Sequence, residues 1–292
     1  MVLTLALLNG LSAAAAAKLD TDKIDQITGL KGALNEAEGV YKVTAPRTDV
    51  KVSVDGWTMP PFMGLASWAA FTEQKAGDVM VMGDTVLFQD EVNPVMTVAL
   101  DNGLAVTALH NHFFYDEPKV CFMHISGQGS VEHLAQAVRK VWDEIKAVRA
   151  ANAQPATTFG GAALPPKSAI TGNIVEDILG LKGQTNNGMF KAVIGRKTKM
   201  PCGCEMGKEM GVNTWAAFAG VDDNALVDGD FAILETELQP VLKSLRRDGI
   251  NIVAIHSHMT EENPRILFLH FWGRGSVANL AKALKAALAT EK

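Results

Sequence analysis

The sequence predicts an α+β fold built from two tandem repeats, each a mainly antiparallel sheet with helices packed on one face. Three observations carry this prediction: an internal repeat, the same order of strand and helix patterns in both copies, and an Ala-, Pro- and Gly-rich stretch between them. The predicted order of elements in each copy is β-β-β-α-β-β-α.

The internal repeat covers most of the chain. Residues 28–148 align with residues 178–288, and the Gly83-Asp84 pair recurs as Gly229-Asp230. From residue 83 to residue 131 the alignment needs no gap. Because a match of this length arises by duplication, we expect both copies to fold alike.

The repeat boundaries divide the chain into four segments. We predict a secretory signal peptide over residues 1–17, repeat 1 over 18–148, a linker over 149–172 and repeat 2 over 173–292. An apolar run followed by Ala-x-Ala is typical of a secretory signal, so we expect export to the periplasm or the exterior. The alternative is an apolar N-terminal helix that docks on the core. No later apolar run reaches the roughly 18 residues of a spanning helix, so no transmembrane segment is expected in the mature chain.

The second copy gives the clearer pattern for the first elements. Apolar runs predict strands over 189–194 and 214–219 and a short strand over 231–234. Apolar residues at helical spacing then predict a helix over 235–247, and Pro240 favours a start nearer Leu238.

Two strands and a helix complete the copy. Apolar strands are predicted over 250–258 and 265–272, joined by a hairpin loop over 259–264. Ser276 is expected to cap the last helix, with an apolar face made of Val277, Leu280, Ala281, Leu284 and Leu288.

A histidine pattern occurs once in each copy. The chain has seven histidines, and six of them form two matched sets with the spacing His-x-His, then a third histidine twelve residues later. The sets are His110, His112 and His124 in repeat 1, and His256, His258 and His270 in repeat 2. Imidazole is the commonest metal ligand, so the pattern predicts a site in each repeat.

Strand geometry indicates how the three imidazoles meet. Side chains two residues apart on a strand point to the same face. If His110 pairs with His124 across the hairpin, and His256 with His270, all three imidazoles of a set share one face. A one-residue shift of register would send the third histidine to the other face.

Three imidazoles on one face predict a site for a transition metal, namely zinc, copper or iron, with a position open to water or substrate. The alternatives are an acid–base or anion-binding cluster without metal, and histidines that only form structural hydrogen bonds. Glu117 and Glu262, in the two hairpin loops, are candidate additional ligands or simply solvated turn residues.

Cys202 and Cys204 are further candidate ligands. They lie with Met200 and Met206 in one short segment, and soft sulfur ligands favour Cu(I), while thiolates also bind Zn²⁺. Copper handling is therefore a second possibility beside a Met-rich loop with incidental thiols.

Charge and loop patterns exclude other classes of function. The formal net charge is −5 and basic residues do not cluster, so no nucleic-acid partner is expected. Gly-x-Gly-Ser follows a strand in each copy but lacks the full dinucleotide fingerprint, so no nucleotide cofactor is expected.

Several strings resemble the LppY/LpqO family of bacterial secreted proteins and lipoproteins. They are WAAFAG, VDGDFAIL, HSHM, PRILFLHFWGRG and, in the first copy, HNHFFYDEPKVCFMH. The resemblance implies export and duplication but no reaction. The lipoproteins of this family carry a cysteine at the signal cleavage site, and this chain has none there.

The leading hypothesis is therefore an exported protein that binds a transition metal through a duplicated histidine site. A metal-dependent hydrolytic or oxidative enzyme is the first alternative. A protein that binds a small molecule or a partner without metal, with structural histidines, is the second. The sequence does not decide whether the chain is an enzyme.

Overall fold

The computed structural model describes residues 19–74 and 78–291, so the predicted signal peptide over residues 1–17 lies outside the described residues. The predicted α+β class is confirmed: helices from both repeats share one hydrophobic core with a large antiparallel sheet. Residues from every described helix are buried in that core.

The described chain has six α-helices, three in each repeat. They are α1 (Thr21–Thr28), α2 (Gln89–Asp101), α3 (Val131–Ala151), α4 (Gly172–Leu179), α5 (Leu238–Arg247) and α6 (Val277–Leu288). None of them is both long enough and apolar enough to cross a membrane. Residues 152–171, between α3 and α4, are hereafter the inter-repeat segment.

Twelve of the described strands form one sheet. Repeat 1 supplies β1 (Ala33–Asn35), β2 (Val40–Pro46), β5 (Ala66–Glu73), β6 (Val79–Phe88), β7 (Ala105–His110) and β9 (Val120–Gly129). Repeat 2 supplies β10 (Gly183–Asn186), β11 (Met189–Gly195), β14 (Asn213–Val221), β15 (Asn224–Leu234), β16 (Asn251–His256) and β17 (Ile266–Gly275). The strand order is β1-β2-β5-β6-β9-β7-β16-β17-β15-β14-β11-β10.

Five short strands lie outside this sheet. One small sheet joins β3 (Ser53–Val54), β4 (Trp57–Thr58) and β8 (Asp116–Glu117), and another joins β12 (Thr198–Lys199) and β13 (Glu205–Met206). Each of these two small sheets lies at the end of a repeat, next to the histidine hairpin.

The structure adds elements that the sequence pattern did not predict. Each repeat begins with a helix and a short strand, α1 and β1 or α4 and β10. Strand β15 is also longer than predicted and includes Asp228, Gly229 and Asp230, residue types that are depleted in strands. The expectation of a helix start near Leu238 is confirmed, because residues 235–237 form a 3₁₀ turn before it.

The two repeats meet at the centre of the sheet. Strand β7 pairs antiparallel with β16, with Leu109 opposite Ile255. Both side chains point into the core beneath the helices. The two halves therefore form one continuous sheet related by an approximate two-fold axis between β7 and β16.

Two side-chain amides extend this central contact. Asn93, at the start of α2, accepts from the Ile252 backbone N–H at 2.8 Å and donates to the Ile252 carbonyl at 3.2 Å. Gln239, its counterpart in α5, accepts from the Val106 N–H at 3.0 Å and donates to the Val106 carbonyl at 2.8 Å. Each repeat thus satisfies strand backbone groups of the other repeat.

A buried carboxylate fixes the start of each of these helices. Glu91 is fully buried, accepts from the Phe88 N–H at 2.8 Å and pairs with Arg47 at 2.8 Å. Glu237 repeats the pattern, with the Leu234 N–H at 2.8 Å and Arg196 at 3.0 Å. Because such a pair is buried and hydrogen-bonded, it holds the helix start against the end of the preceding strand.

Replacement of Asn93 by alanine should destabilise the protein by about 2–4 kcal/mol, because it leaves two buried backbone groups of Ile252 without partners. Urea denaturation followed by circular dichroism measures the change. Gln239→Ala should have a smaller effect, since Gln239 is half-buried. The control is Asn279→Ala, an exposed asparagine on α6, and equal midpoints for Asn93→Ala and Asn279→Ala would contradict the role of the amide.

Candidate metal centre

The six histidines lie on the sheet face that turns away from the helices. Strands β7 and β16 each end on the first histidine of a set, and the third histidine lies on the neighbouring strand, β9 or β17. A β-bulge places them there. The pairing register shifts at Thr107 in β7 and at Val253 in β16, and both bulge residues are exposed.

The predicted pairing of the histidines was wrong by two residues. His110 lies opposite Phe122, and His124 lies opposite Ala108. In repeat 2, His256 lies opposite Phe268, and His270 lies opposite Ala254. Because side chains alternate with a period of two, a shift of two residues leaves the two strand histidines of each set on the same face, while His112 and His258 lie just past the strand ends.

The rings of each set lie close together. In repeat 2 the ring centre of His256 is 5.0 Å from that of His258 and 4.8 Å from that of His270. The Nε2 atoms of His256 and His258 are 3.1 Å apart. Two imidazole nitrogens at this distance either share one proton or face a common cation.

A buried aspartate completes the group in repeat 2. Asp230 lies on β15 directly opposite His270 and is only 2 % exposed. Its Oδ2 atom is 3.7 Å from Nε2 of His258 and 4.0 Å from Nε2 of His270. Among the described residues, only Asp230, His256 and His258 form a group of three or more His, Cys, Asp or Glu side chains with donor atoms all within 4.8 Å of one another.

Asp230 was not among the ligands predicted from the sequence. The signal for it was present, because the Gly-Asp pair recurs in both copies at a constant offset from the histidines. From the sequence alone, a carboxylate just before a short apolar run is expected to lie in a turn. Only the pairing of β15 with β17 brings Asp230 beside His270.

Burial controls the electrostatics of this group. Desolvation lowers the pKa of His256, and the neighbouring His270 and His258 lower it further. Desolvation raises the pKa of Asp230, while His270 and His258 act in the opposite direction. A neutral imidazole is the form that binds a metal, and a carboxylate beside it is stabilised by the positive charge of an ion.

The spacing of the donor atoms suits a transition metal. Ligand atoms around a tetrahedral zinc ion with bonds of about 2.0–2.1 Å stand about 3.3 Å apart. Two donor-atom distances in repeat 2, 3.1 and 3.7 Å, bracket that value, and the third pair, Asp230 and His256, lies within 4.8 Å. Nδ1 of His270 also lies 3.3 Å from the Gly229 carbonyl, the kind of second contact that fixes the ring orientation of a metal-binding histidine.

Two buried polar atoms of the site form no hydrogen bond with the described residues: Nδ1 of His256 and Oδ1 of Asp230. The Nε2 atom of His256 contacts only a second imidazole nitrogen, so the ring lacks the network that a purely structural histidine normally has.

Repeat 1 has the same residue types in a looser arrangement. The ring centres of His112 and His124 are each 5.1 Å from that of His110, and Asp84 lies opposite His124 as Asp230 lies opposite His270. His112 stacks on Phe122 at 3.4 Å, as His258 stacks on Phe268. The donor atoms of this set do not meet the spacing that the repeat 2 group satisfies.

The additional acidic candidates lie apart from these groups. Glu117 is exposed on β8, where it pairs with Ser53. Glu262 is buried, but its Oε1 atom accepts from the Ile266 N–H at 3.1 Å within its own hairpin loop. Neither side chain belongs to the Asp230–His256–His258 group.

The two candidate thiols lie on an exposed turn. Cys202 and Cys204 are free and exposed, and Sγ of Cys202 accepts from the Cys204 N–H at 3.4 Å. A hydrogen bond between the two thiols lowers the pKa of Cys202 and raises that of Cys204. The third cysteine, Cys121, is half-buried on β9, where burial raises the pKa of its thiol to about 11.

The family of the chain follows from a comparison with domain families. The model of DUF1529, described as a Domain of Unknown Function (DUF1259), matches twice, over residues 22–144 and 173–290. The chain belongs to this family. It contains two copies of the family domain, which confirms the tandem repeat, and each copy includes one histidine set.

Other comparisons add no functional assignment. No curated protein matches the chain. Among solved structures, the chain is similar to one described as a trimeric bacterial microcompartment shell protein, PduB, with 12 % identity over 89 % of each chain and a TM-score of 0.20. A TM-score of that size establishes neither a common fold nor a common function.

Alkylation should separate the three cysteines. At pH 8 the Cys121 thiol is about 0.1 % ionised if its pKa is about 11, so iodoacetamide should modify Cys202 and Cys204 and leave Cys121 intact. Peptide mass spectrometry of the native protein measures this, with urea-denatured protein as the control in which all three react. Equal labelling of Cys121 in the native protein would contradict the assigned environment.

Proposed function

We propose that the chain binds a divalent transition metal ion on the exposed sheet face of repeat 2. The ligands are His256, His258 and Asp230, with His270 as a fourth donor or as the residue that orients Asp230. The observation that carries the proposal is the convergence of a buried carboxylate and two imidazole Nε2 atoms within 4.8 Å.

The donor set limits which metal ions the site can bind. Two histidines and one carboxylate that leave positions open are typical of non-haem Fe(II), and three imidazoles or two with a carboxylate also suit Zn²⁺. Copper(II) accepts the same nitrogen donors. The thiols of the Cys202 turn are not part of this group, so they do not direct it toward Cu(I).

The openness of the site supports a metal-dependent enzyme as the second candidate. The side chains of His258 and His270 are 39 % and 40 % exposed, so solvent or a substrate reaches the centre from one side. A metal with an open position lowers the pKa of bound water and polarises oxygen ligands. A closed structural site would instead surround the ion with protein ligands.

The proposal includes export. It rests on the apolar segment over residues 1–17, which is typical of a secretory signal, and on the resemblance to the LppY/LpqO secreted proteins. Expression of the full chain with separation of periplasm and cytoplasm, followed by N-terminal sequencing of the product, tests it. A cytoplasmic product that retains the N-terminal segment would overturn this part.

Metal binding is tested on protein purified without a histidine tag. Inductively coupled plasma mass spectrometry and calorimetric titration with Zn²⁺ should give one tight site per chain. His256→Ala or His258→Ala should weaken binding at least about 100-fold, because each removes a donor, and Asp230→Asn should weaken it by a similar factor.

The matched controls separate this site from the other histidines. His133→Gln removes the one histidine outside both sets, and Asp84→Asn removes the repeat 1 counterpart of Asp230; neither should change the repeat 2 site. Wild-type protein that contains no metal and takes up neither Zn²⁺, Fe²⁺ nor Cu²⁺ would refute the proposal.

The enzyme candidate requires an exchangeable position on the metal. In Co²⁺-substituted protein, added azide should change the visible absorption spectrum by binding at that position. A spectrum that azide leaves unchanged would contradict an open centre and would favour a closed binding site.

A further inference from the structure

A cavity adjoins the second histidine set on the same sheet face. Its volume is about 530 Å³, which lies within the range of small-molecule sites. His270 forms part of its wall, together with Asp228, Trp272 and the start of α2. The cavity is therefore next to the Asp230–His256–His258 group and extends away from it along β15 and β17.

Two residues of the cavity wall differ in type from their counterparts in repeat 1. Asp228 and Trp272 lie directly opposite each other on β15 and β17, and their counterparts in repeat 1, Met82 and Ser126, also face each other. Met82 is 52 % exposed. Duplication thus produced two equivalent faces, and only the second has an acid paired with an indole.

The inter-repeat segment closes the cavity on its outer side. Phe159 and Leu164 of this segment form part of the wall. The Arg274 guanidinium donates to the carbonyl of Gly160 at 2.7 Å and to that of Ala162, and Asn224 donates to the Ala163 carbonyl at 3.1 Å. These bonds hold the segment against the sheet, so it acts as a fixed cover as well as a connection.

Asp228 has no partner of its own among the described residues. Its half-buried carboxylate forms no hydrogen bond or ion pair with them, and the nearby Arg274 is directed instead at the covering segment. A carboxylate in a mainly apolar cavity favours a cationic ligand group, and the face of an indole beside it attracts the same charge.

We propose that this cavity binds a small primary amine with an apolar or aromatic body. The ammonium group pairs with Asp228 beside Trp272, and the apolar body packs against Phe159 and Leu164. Because two residues span about 7 Å along a strand, the Asp228–Trp272 pair places the ligand one step from the Asp230–His270 pair. The ligand then lies within reach of the proposed metal.

The test uses 2-phenylethylamine as the probe and 2-phenylethanol as its neutral analogue. Calorimetric titration of the full chain, with EDTA present throughout, should show the amine binding at least tenfold more tightly than the alcohol. Because the measurement is made without metal, its outcome is independent of whether the proposed metal site exists.

Two variants and one control variant locate the binding. Asp228→Asn keeps the size of the side chain and should abolish the preference for the amine, while Asp223→Asn, in the exposed turn before β15, should leave it unchanged. Phe159→Ala, at a residue 60 % exposed, should weaken both probes without affecting folding.

Three results would overturn the proposal. They are equal affinity of the wild-type protein for amine and alcohol, the absence of binding by either probe, and an amine preference that persists in Asp228→Asn. A fourth result, undiminished binding of both probes in Phe159→Ala, would also overturn the proposal, because it would exclude the covered cavity as the location.

Discussion

The central contact between β7 and β16 depends on two amide side chains that reach across the molecule. The two strands overlap only around Leu109 and Ile255, which is too short a pairing to satisfy the neighbouring backbone groups. Beyond the end of the partner strand, the side chains of Asn93 and Gln239 supply the hydrogen bonds. Each of them bonds both backbone polar groups of one residue. A helix start thereby completes the hydrogen bonding of a strand edge that would otherwise be open.

This arrangement also positions the candidate site. The helix that contains Asn93 or Gln239 comes next after β6 or β15, the strand that contains Asp84 or Asp230. The strand that the amide fixes, β16 or β7, ends on a histidine of the other set. Each carboxylate and its imidazoles are therefore positioned through the contact between β7 and β16. Each repeat nevertheless supplies its own carboxylate and its own imidazoles.

The sequence predicted local elements such as helices well, but it did not predict which residues of paired strands lie opposite each other. Apolar spacing located α5 and α6, and the Ser276 cap accepts from the Asn279 N–H at 3.4 Å as expected. The histidine register was missed because the loop of each hairpin sets which strand residues lie opposite each other, and apolar periodicity does not reveal that choice. Asp230 was missed because Asp and Gly favour turns, and only tertiary pairing overrides that preference.

The approximate two-fold axis between β7 and β16 has a consequence for the history of the chain. Asn93 of one half bonds Ile252 of the other, and Gln239 bonds Val106 in return. The contact is therefore self-complementary, because each repeat contains both an amide side chain and the strand residue that such an amide bonds. A single-repeat ancestor would form the same twelve-stranded sheet as a symmetric dimer. Fusion of two such copies would make their association permanent. It would also leave a connecting segment on one side only, so that the two faces need not stay equivalent.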